Sequence, residues 1–217
     1  MKPFDPKSNR QPEAVLQDQI IKMLRLQEWI VIRTHGNKFQ AGFPDLYCVH
    51  HVYGERWVEV KRPGKEVCTE YQNFYFPKIR NVWVLSGTSR SDYKKLFGPP
   101  NFFAFLGDVS KPKEHNEQDH EEGRIQMKVI ADLEATGHTV MPTYGNNIQK
   151  GLPDLYVLRR TRKQWLELKR HMSFTVAQKN NFPRMIACKV PIWILDVSGG
   201  SYDLSILDRE PNIKQYM

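Results

Sequence analysis

Gly42-Phe43-Pro44-Asp45-Leu46-Tyr47, followed by Trp57-Val58-Glu59-Val60-Lys61-Arg62, is the stretch on which the reading of this chain turns. The chain writes both phrases again as Gly151-Leu152-Pro153-Asp154-Leu155-Tyr156 and Trp165-Leu166-Glu167-Leu168-Lys169-Arg170. An Asp at the head of an apolar strand, then a Glu and a Lys two residues apart on the next, can hold a divalent metal beside a basic group. Two such arrangements imply two active sites.

The copies keep register. Glu13 and Glu122 stand 109 residues apart, as do Asp45 and Asp154. The separation falls to 108 at Glu59 and Glu167, and to 106 where Thr69-x-x-Gln72 returns as Thr175-x-x-Gln178. Trp83-Val84-Leu85 returns as Trp193-Ile194-Leu195. A duplication with small loop deletions accounts for this drift. Lys111 to Glu121 is polar, contains Pro112 and lacks apolar periodicity, which reads as a linker. The expected organisation is a first copy over 1–108, a linker over 109–121 and a second copy over 122–217.

Within the first copy, residues 1–12 read as a loose arm. Leu16, Ile20 and Leu24 follow Glu13 at helical spacing, predicting an amphipathic helix to about Gln27 with the carboxylate at the head of its buried stripe. Trp29 to Thr34 is a β-branched strand, and His35 to Gly42 a loop. Strands follow at Asp45–Val52 and Arg56–Lys61, the latter stopped by Pro63. Thr69 caps a helix to about Lys78. Val82–Leu85 is a fourth strand and Ser91–Phe97 a short helix. The order is helix, three strands, helix, strand.

Composition sets the limits. The chain has 217 residues, 40% hydrophobic and 26% charged, enough for one large core or two small ones. A net charge of +8 favours a polyanionic partner. Cys48, Cys68 and Cys188 form no CxxC pair and read as reduced structural residues, which points to a cytoplasmic setting. No apolar run reaches the length of a membrane span, so neither export nor a membrane is expected.

Strand alternation puts Trp57, Glu59 and Lys61 on one face and Val58 and Val60 on the other, with a core side and a working side expected to separate. Asp45 and Glu59, with the Val60 carbonyl, then supply oxygens to Mg²⁺, and Glu13 ligates directly or through water. Lys61 orients or deprotonates a metal-polarised water that attacks a phosphodiester. Gln72 either bridges the site to a phosphate or holds the lysine. In the second copy the same roles fall to Glu122, Asp154, Glu167, Leu168, Lys169 and Gln178.

The series Glu, Gly-x-Pro-Asp, Glu-x-Lys and Gln resembles the PD-(D/E)xK nuclease superfamily, and Glu59-Val60-Lys61-Arg62-Pro63-Gly64 with Thr69-x-x-Gln72 is similar to its virus-type replication-repair nuclease branch, VRR-NUC. The resemblance covers both halves. It implies an α/β restriction-endonuclease-like domain, a mixed central sheet flanked by helices, here in tandem as an intramolecular pseudo-dimer. It further implies DNA as partner and Mg²⁺- or Mn²⁺-dependent cleavage of DNA, selective for branched or four-way-junction structure, in recombination, repair or phage genome processing. The cell would be a prokaryote or a phage-infected host, and further pairing of two chains is open. Two alternatives stand beside this: a sequence-specific restriction- or homing-type endonuclease, and a catalytically idle DNA-binding module. The second copy departs from the pattern at His171-Met172, where the first has Pro63-Gly64.

Other residues carry blander readings. His50, His51, His115 and His120 lack the partners and spacing of a zinc site. Trp57, Trp83, Trp165 and Trp193 recur at equivalent places, as a repeated core requires.

Overall fold

The computed structural model describes residues 13–34, 42–107, 121–143 and 151–217, with backbone alone at 121 and 122. They fall into two compact units, 13–34 with 42–107 and 121–143 with 151–217.

In unit 1, α1 (Glu13–Leu26) leads into β1 (Ile30–Arg33), β2 (Leu46–His50), β3 (Gly54–Val60), α2 (Glu70–Ile79), β4 (Val82–Leu85) and α3 (Arg90–Lys95). The sheet order is β1-β2-β3-β4. β1/β2 and β2/β3 are antiparallel, the latter through a three-residue turn, whereas the return from β3 runs through α2 and so delivers β4 parallel to β3. Unit 2 repeats this with α4 (Glu121–Ala135), β5 (Thr139–Pro142), β6 (Leu155–Arg159), β7 (Arg162–Lys169), α5 (Val176–Ala187) and β8 (Ile192–Asp196), in the order β5-β6-β7-β8. Each unit is thus a mixed α/β sheet with helices, as expected. α4 begins at Glu121, one residue inside the expected linker, whose other residues lie outside the described set with His115 and His120.

The core has two sides. Leu16, Ile20, Ile21 and Leu24 of α1 pack on Leu46, Cys48, Val58, Val60, Trp83 and Leu85. On the opposite face the Trp57 ring centre lies 4.8 Å from that of Tyr47 and 5.6 Å from that of Phe43, both rings tilted against it, beneath α2 with its buried Phe76 and Ile79. Tyr156 and Trp165 repeat the pair at 4.7 Å. All four recurrent tryptophans are buried. The expected division of β3 into a core side and a working side is therefore corrected: Val58 and Trp57 are both fully buried, because a helix covers each face. Chemistry is left to the ends of the strands.

A second repeated device escaped the sequence reading. The Asn101 amide accepts the Val84 N–H at 2.7 Å and donates to the Val84 carbonyl at 3.0 Å; Asn212 does the same to Ile194 at the same distances. Each side chain acts as one rung of an absent strand on the outer edge of its sheet, leaving that edge less open to stray pairing. Trp83 and Trp193 fix the approach by donating to the Gly98 and Arg209 carbonyls, both at 3.3 Å. The signal was Pro100-Asn101-Phe102 and Pro211-Asn212-Ile213.

Candidate functional site

Asp45 stands just before β2, held by the loop that carries it. Gly42 has φ +96°, a conformation other residues adopt with strain, and a Cβ there would come within 2.6 Å of the Tyr75 ring and 3.0 Å of Tyr71 on α2. Gly151 repeats φ +96°, facing Asn181 and Ala177 of α5. Threonines pin the next two residues: the Thr34 hydroxyl donates to the Pro44 carbonyl and its N–H to the Asp45 carbonyl, and Thr143 does likewise to Pro153 and Asp154. Both threonines are buried. They were missed in the sequence, although Thr34 and Thr143 obey the same 109-residue spacing as the acids.

From this loop Asp45 Oδ2 accepts the Val60 N–H at 2.8 Å. The N–H and C=O of a strand residue point to one side, so the Val60 carbonyl also faces the Asp45 edge. Leu168 N–H and Asp154 Oδ2 reproduce the bond at 2.8 Å.

Glu59 is 2% exposed. Its Oε1 accepts from Lys61 Nζ at 2.8 Å and from Gln72 Nε2 at 2.6 Å. Gln72 Oε1 accepts from Lys61 Nζ and from the Thr69 N–H, each at 3.0 Å, while the Thr69 hydroxyl accepts the Gln72 N–H. Gln72 is thus the third residue of a capping box that opens α2, and the geometry of that cap aims its amide at the acid and the lysine. Of the two roles open to Gln72, holding the lysine is the one observed. In unit 2 Glu167 accepts from Lys169 at 2.8 Å and from Gln178 at 2.6 Å, and Gln178 accepts from Lys169 and the Thr175 N–H at 3.1 Å.

The second carboxylate oxygen is different. Among the described residues, Glu59 Oε2 and Glu167 Oε2 are buried and accept no hydrogen bond. A buried carboxylate oxygen without a donor is costly. Burial, then the nearby Asp45 charge, pushes the Glu59 carboxyl up to about 8 against the pull of Lys61 and Gln72. Burial raises Glu167 in the same direction. Burial also disfavours the Lys61 ammonium, but Glu59, Asp45 and Glu13 outweigh it and hold the lysine above its ordinary value. A cluster of hard oxygens, one of them buried without a donor, fits Mg²⁺ or Mn²⁺ in its donor chemistry. Asp45, Glu59 and the Val60 carbonyl would hold it in unit 1; Asp154, Glu167 and the Leu168 carbonyl would do so in unit 2.

Glu13 departs from expectation. It lies at the start of α1 but is exposed rather than heading the buried stripe, and its described influence is the electrostatic one on Lys61. The side chain of Glu122 lies outside the described residues. The copies also differ beside the lysine. Cys68 precedes the Thr69 cap, its thiol pushed up to about 11 by burial and by Glu59, whereas the residue before Thr175 is Phe174, whose ring centre lies 4.9 Å from Lys169 Nζ. The three cysteines are free thiols, Cys48 and Cys68 buried and Cys188 half-buried.

Glu28, His50 and His51 bring ligand-type atoms within 4.8 Å of one another. His50 is tied to the backbone on one side, its Nδ1 accepting the Val52 N–H at 3.0 Å. That bond takes Nδ1 out of any ligand set, and a ligating histidine ordinarily donates rather than accepts at its second nitrogen. Among the described residues no helix is long and apolar enough to cross a membrane. No family model, curated protein or solved structure matches the chain.

Proposed function

We propose that this protein is a Mg²⁺- or Mn²⁺-dependent endodeoxyribonuclease of PD-(D/E)xK type, carrying two tandem VRR-NUC-like sites and acting on branched or junction DNA. The observation that carries the reading is the duplicate constellation: Asp, Glu, Lys and Gln meet with distances that agree within 0.1 Å between units, each with one buried, unpartnered carboxylate oxygen. A purely structural Glu–Lys pair gains nothing from a buried carboxylate oxygen without a donor, whereas a bound cation would fill it. A bound divalent cation would supply Lewis-acid charge and a polarised water beside the scissile phosphate.

The chain's own residues do the rest. Asp45 is locked by the Val60 amide and Asp154 by the Leu168 amide, so each acid needs no reorganisation to bind. Gln72 and Gln178 keep Glu and Lys in one orientation. Lys61 retains its proton near neutral pH and serves to orient the attacking water and to balance the charge that develops on the phosphate. A net charge of +8 supplies affinity for the DNA backbone.

The test is incubation with Mg²⁺ or Mn²⁺ and a panel of supercoiled plasmid, linear duplex, single strand, flap and four-way junction. Asp45→Ala with Asp154→Ala should abolish cleavage while duplex binding persists. Cutting by that double variant, or undiminished cutting in EDTA, would sink the proposal.

A further inference from the structure

We propose that the tip of the β6–β7 hairpin in unit 2, carrying Arg159, Arg160 and Arg162, is a second contact surface for the phosphate backbone of nucleic acid, at the end of the sheet opposite the acidic site. The choice of nucleic acid as the polyanion rests on the nuclease reading; the surface itself is argued from its construction.

Two features of the hairpin work against folding. Arg159 and Arg162 are directly opposed across the antiparallel pair, a placement in which like charges destabilise a sheet. Arg160, in the turn between them, has φ 53°. That is the left-handed region which glycine or asparagine adopts without strain. All three arginines are exposed. Asp208 offsets part of the repulsion by pairing with Arg162 at 3.5 Å, both side chains about two-thirds exposed, which leaves the cluster strongly cationic.

Unit 1 provides the comparison. Its hairpin has His50 opposite Gly54, and the positive φ of this hairpin, 70°, falls on Gly54 itself, the first residue of β3. Between them stand His51, Val52 and Tyr53, with Tyr53 packed on His50 and Phe97. Unit 1 therefore closes the corresponding hairpin, one residue longer, with an unstrained and uncharged tip. An arrangement that adds repulsion and strain where its duplicate has neither is expected where a ligand supplies the compensation, and closely spaced phosphates supply it for three guanidinium groups. β7 runs from Arg162 to Lys169, about 23 Å at strand rise. That is roughly the length of seven base pairs, so the tip meets DNA away from the phosphate being cut.

The experiment measures binding of a duplex of about 30 bp in EDTA over a range of KCl concentrations, so that cleavage plays no part; three lost phosphate contacts should make the slope of log K against log salt shallower by about two to three. The variant is Arg159→Gln with Arg160→Gly and Arg162→Gln, and Arg160→Gly alone should change the slope by about one. Removing repulsion and turn strain should also raise the Tm by about 1–3 °C. Weaker binding together with higher stability is the expected pair of results. If the triple variant melts lower than the wild type, Arg160→Gly alone decides the matter by its slope. An unchanged salt slope in a folded variant overturns the proposal. A wild-type protein that binds duplex but never cuts overturns the nuclease reading and leaves this surface standing; one that cuts with a slope unaffected by the arginines does the reverse. Failure of the wild type to bind any duplex overturns both.

Discussion

Gln72 donates from Nε2 to Glu59 Oε1 at 2.6 Å, across the gap between α2 and the end of β3. The same amide group accepts Lys61 and closes the helix cap, so three elements of the site depend on one side chain. Gln72→Ala, placed in a Glu167→Ala background so that unit 1 alone cuts, should reduce cleavage about 10- to 100-fold, the usual effect of removing a residue that orients a metal ligand. Titration of Mn²⁺ against rate separates weakened metal binding from a slower step. A rate equal to that of Glu167→Ala alone would show that Lys61 and the backbone suffice to hold Glu59.

Two sites in one chain should cut in pairs, because the linker keeps the second domain at roughly millimolar effective concentration. Glu59→Ala alone and Glu167→Ala alone should each turn a double-strand cut in supercoiled plasmid into a nick, and the double variant should leave the plasmid intact. Agarose separation of nicked circles from linear product reads the result. If Glu59→Ala is inert while Glu167→Ala matches the wild type, unit 2 holds DNA without cutting it, an outcome to which Phe174 beside Lys169 and the His171-Met172 loop would then give a structural basis.

His50 sets a pH dependence remote from the site. Burial and the neighbouring His51 hold its pKa below the ordinary 6.5. A group depressed in the folded state contributes stability that is present above its unfolded value and lost as pH falls through the folded one. The protein should therefore lose stability progressively from about pH 6.5 downward. Protonation would also oppose the Val52 N–H that Nδ1 accepts. Melting His50→Gln beside the wild type from pH 7.5 to 5 should show a shallower fall for the variant, and parallel curves would remove His50 from the account.

Much of the fold was legible because it is written in short-range pattern. Helical spacing of Leu16, Ile20 and Leu24 marks the stripe of α1, all three buried. Thr69 at a cap, Pro63 after β3 and the β-branched runs give element edges to within a few residues. The duplication multiplied the signal, since Asp45 with Asp154 and Glu59 with Glu167 repeat at nearly fixed separation. The same rule would have flagged Thr34 with Thr143 and Asn101 with Asn212, whose residue types are too common to stand out singly.

By itself, then, the sequence determined the repeated order of helices and strands and the pairing of Asp45 with Asp154 and of Glu59 with Glu167 between the copies, because both follow from periodicity and spacing along the chain. Only the tertiary structure decided that a helix covers each face of the sheet, that Gln72 and Gln178 clamp both acid and lysine, and that Glu13 lies exposed. It also decided that one oxygen of Glu59 and of Glu167 is buried without a donor. The physical reason is that burial and hydrogen-bond satisfaction depend on which groups the layers bring together. Glu59 and Gln72 meet only when α2 folds back over the strand that precedes it, and no local pattern records what that closure leaves unfilled.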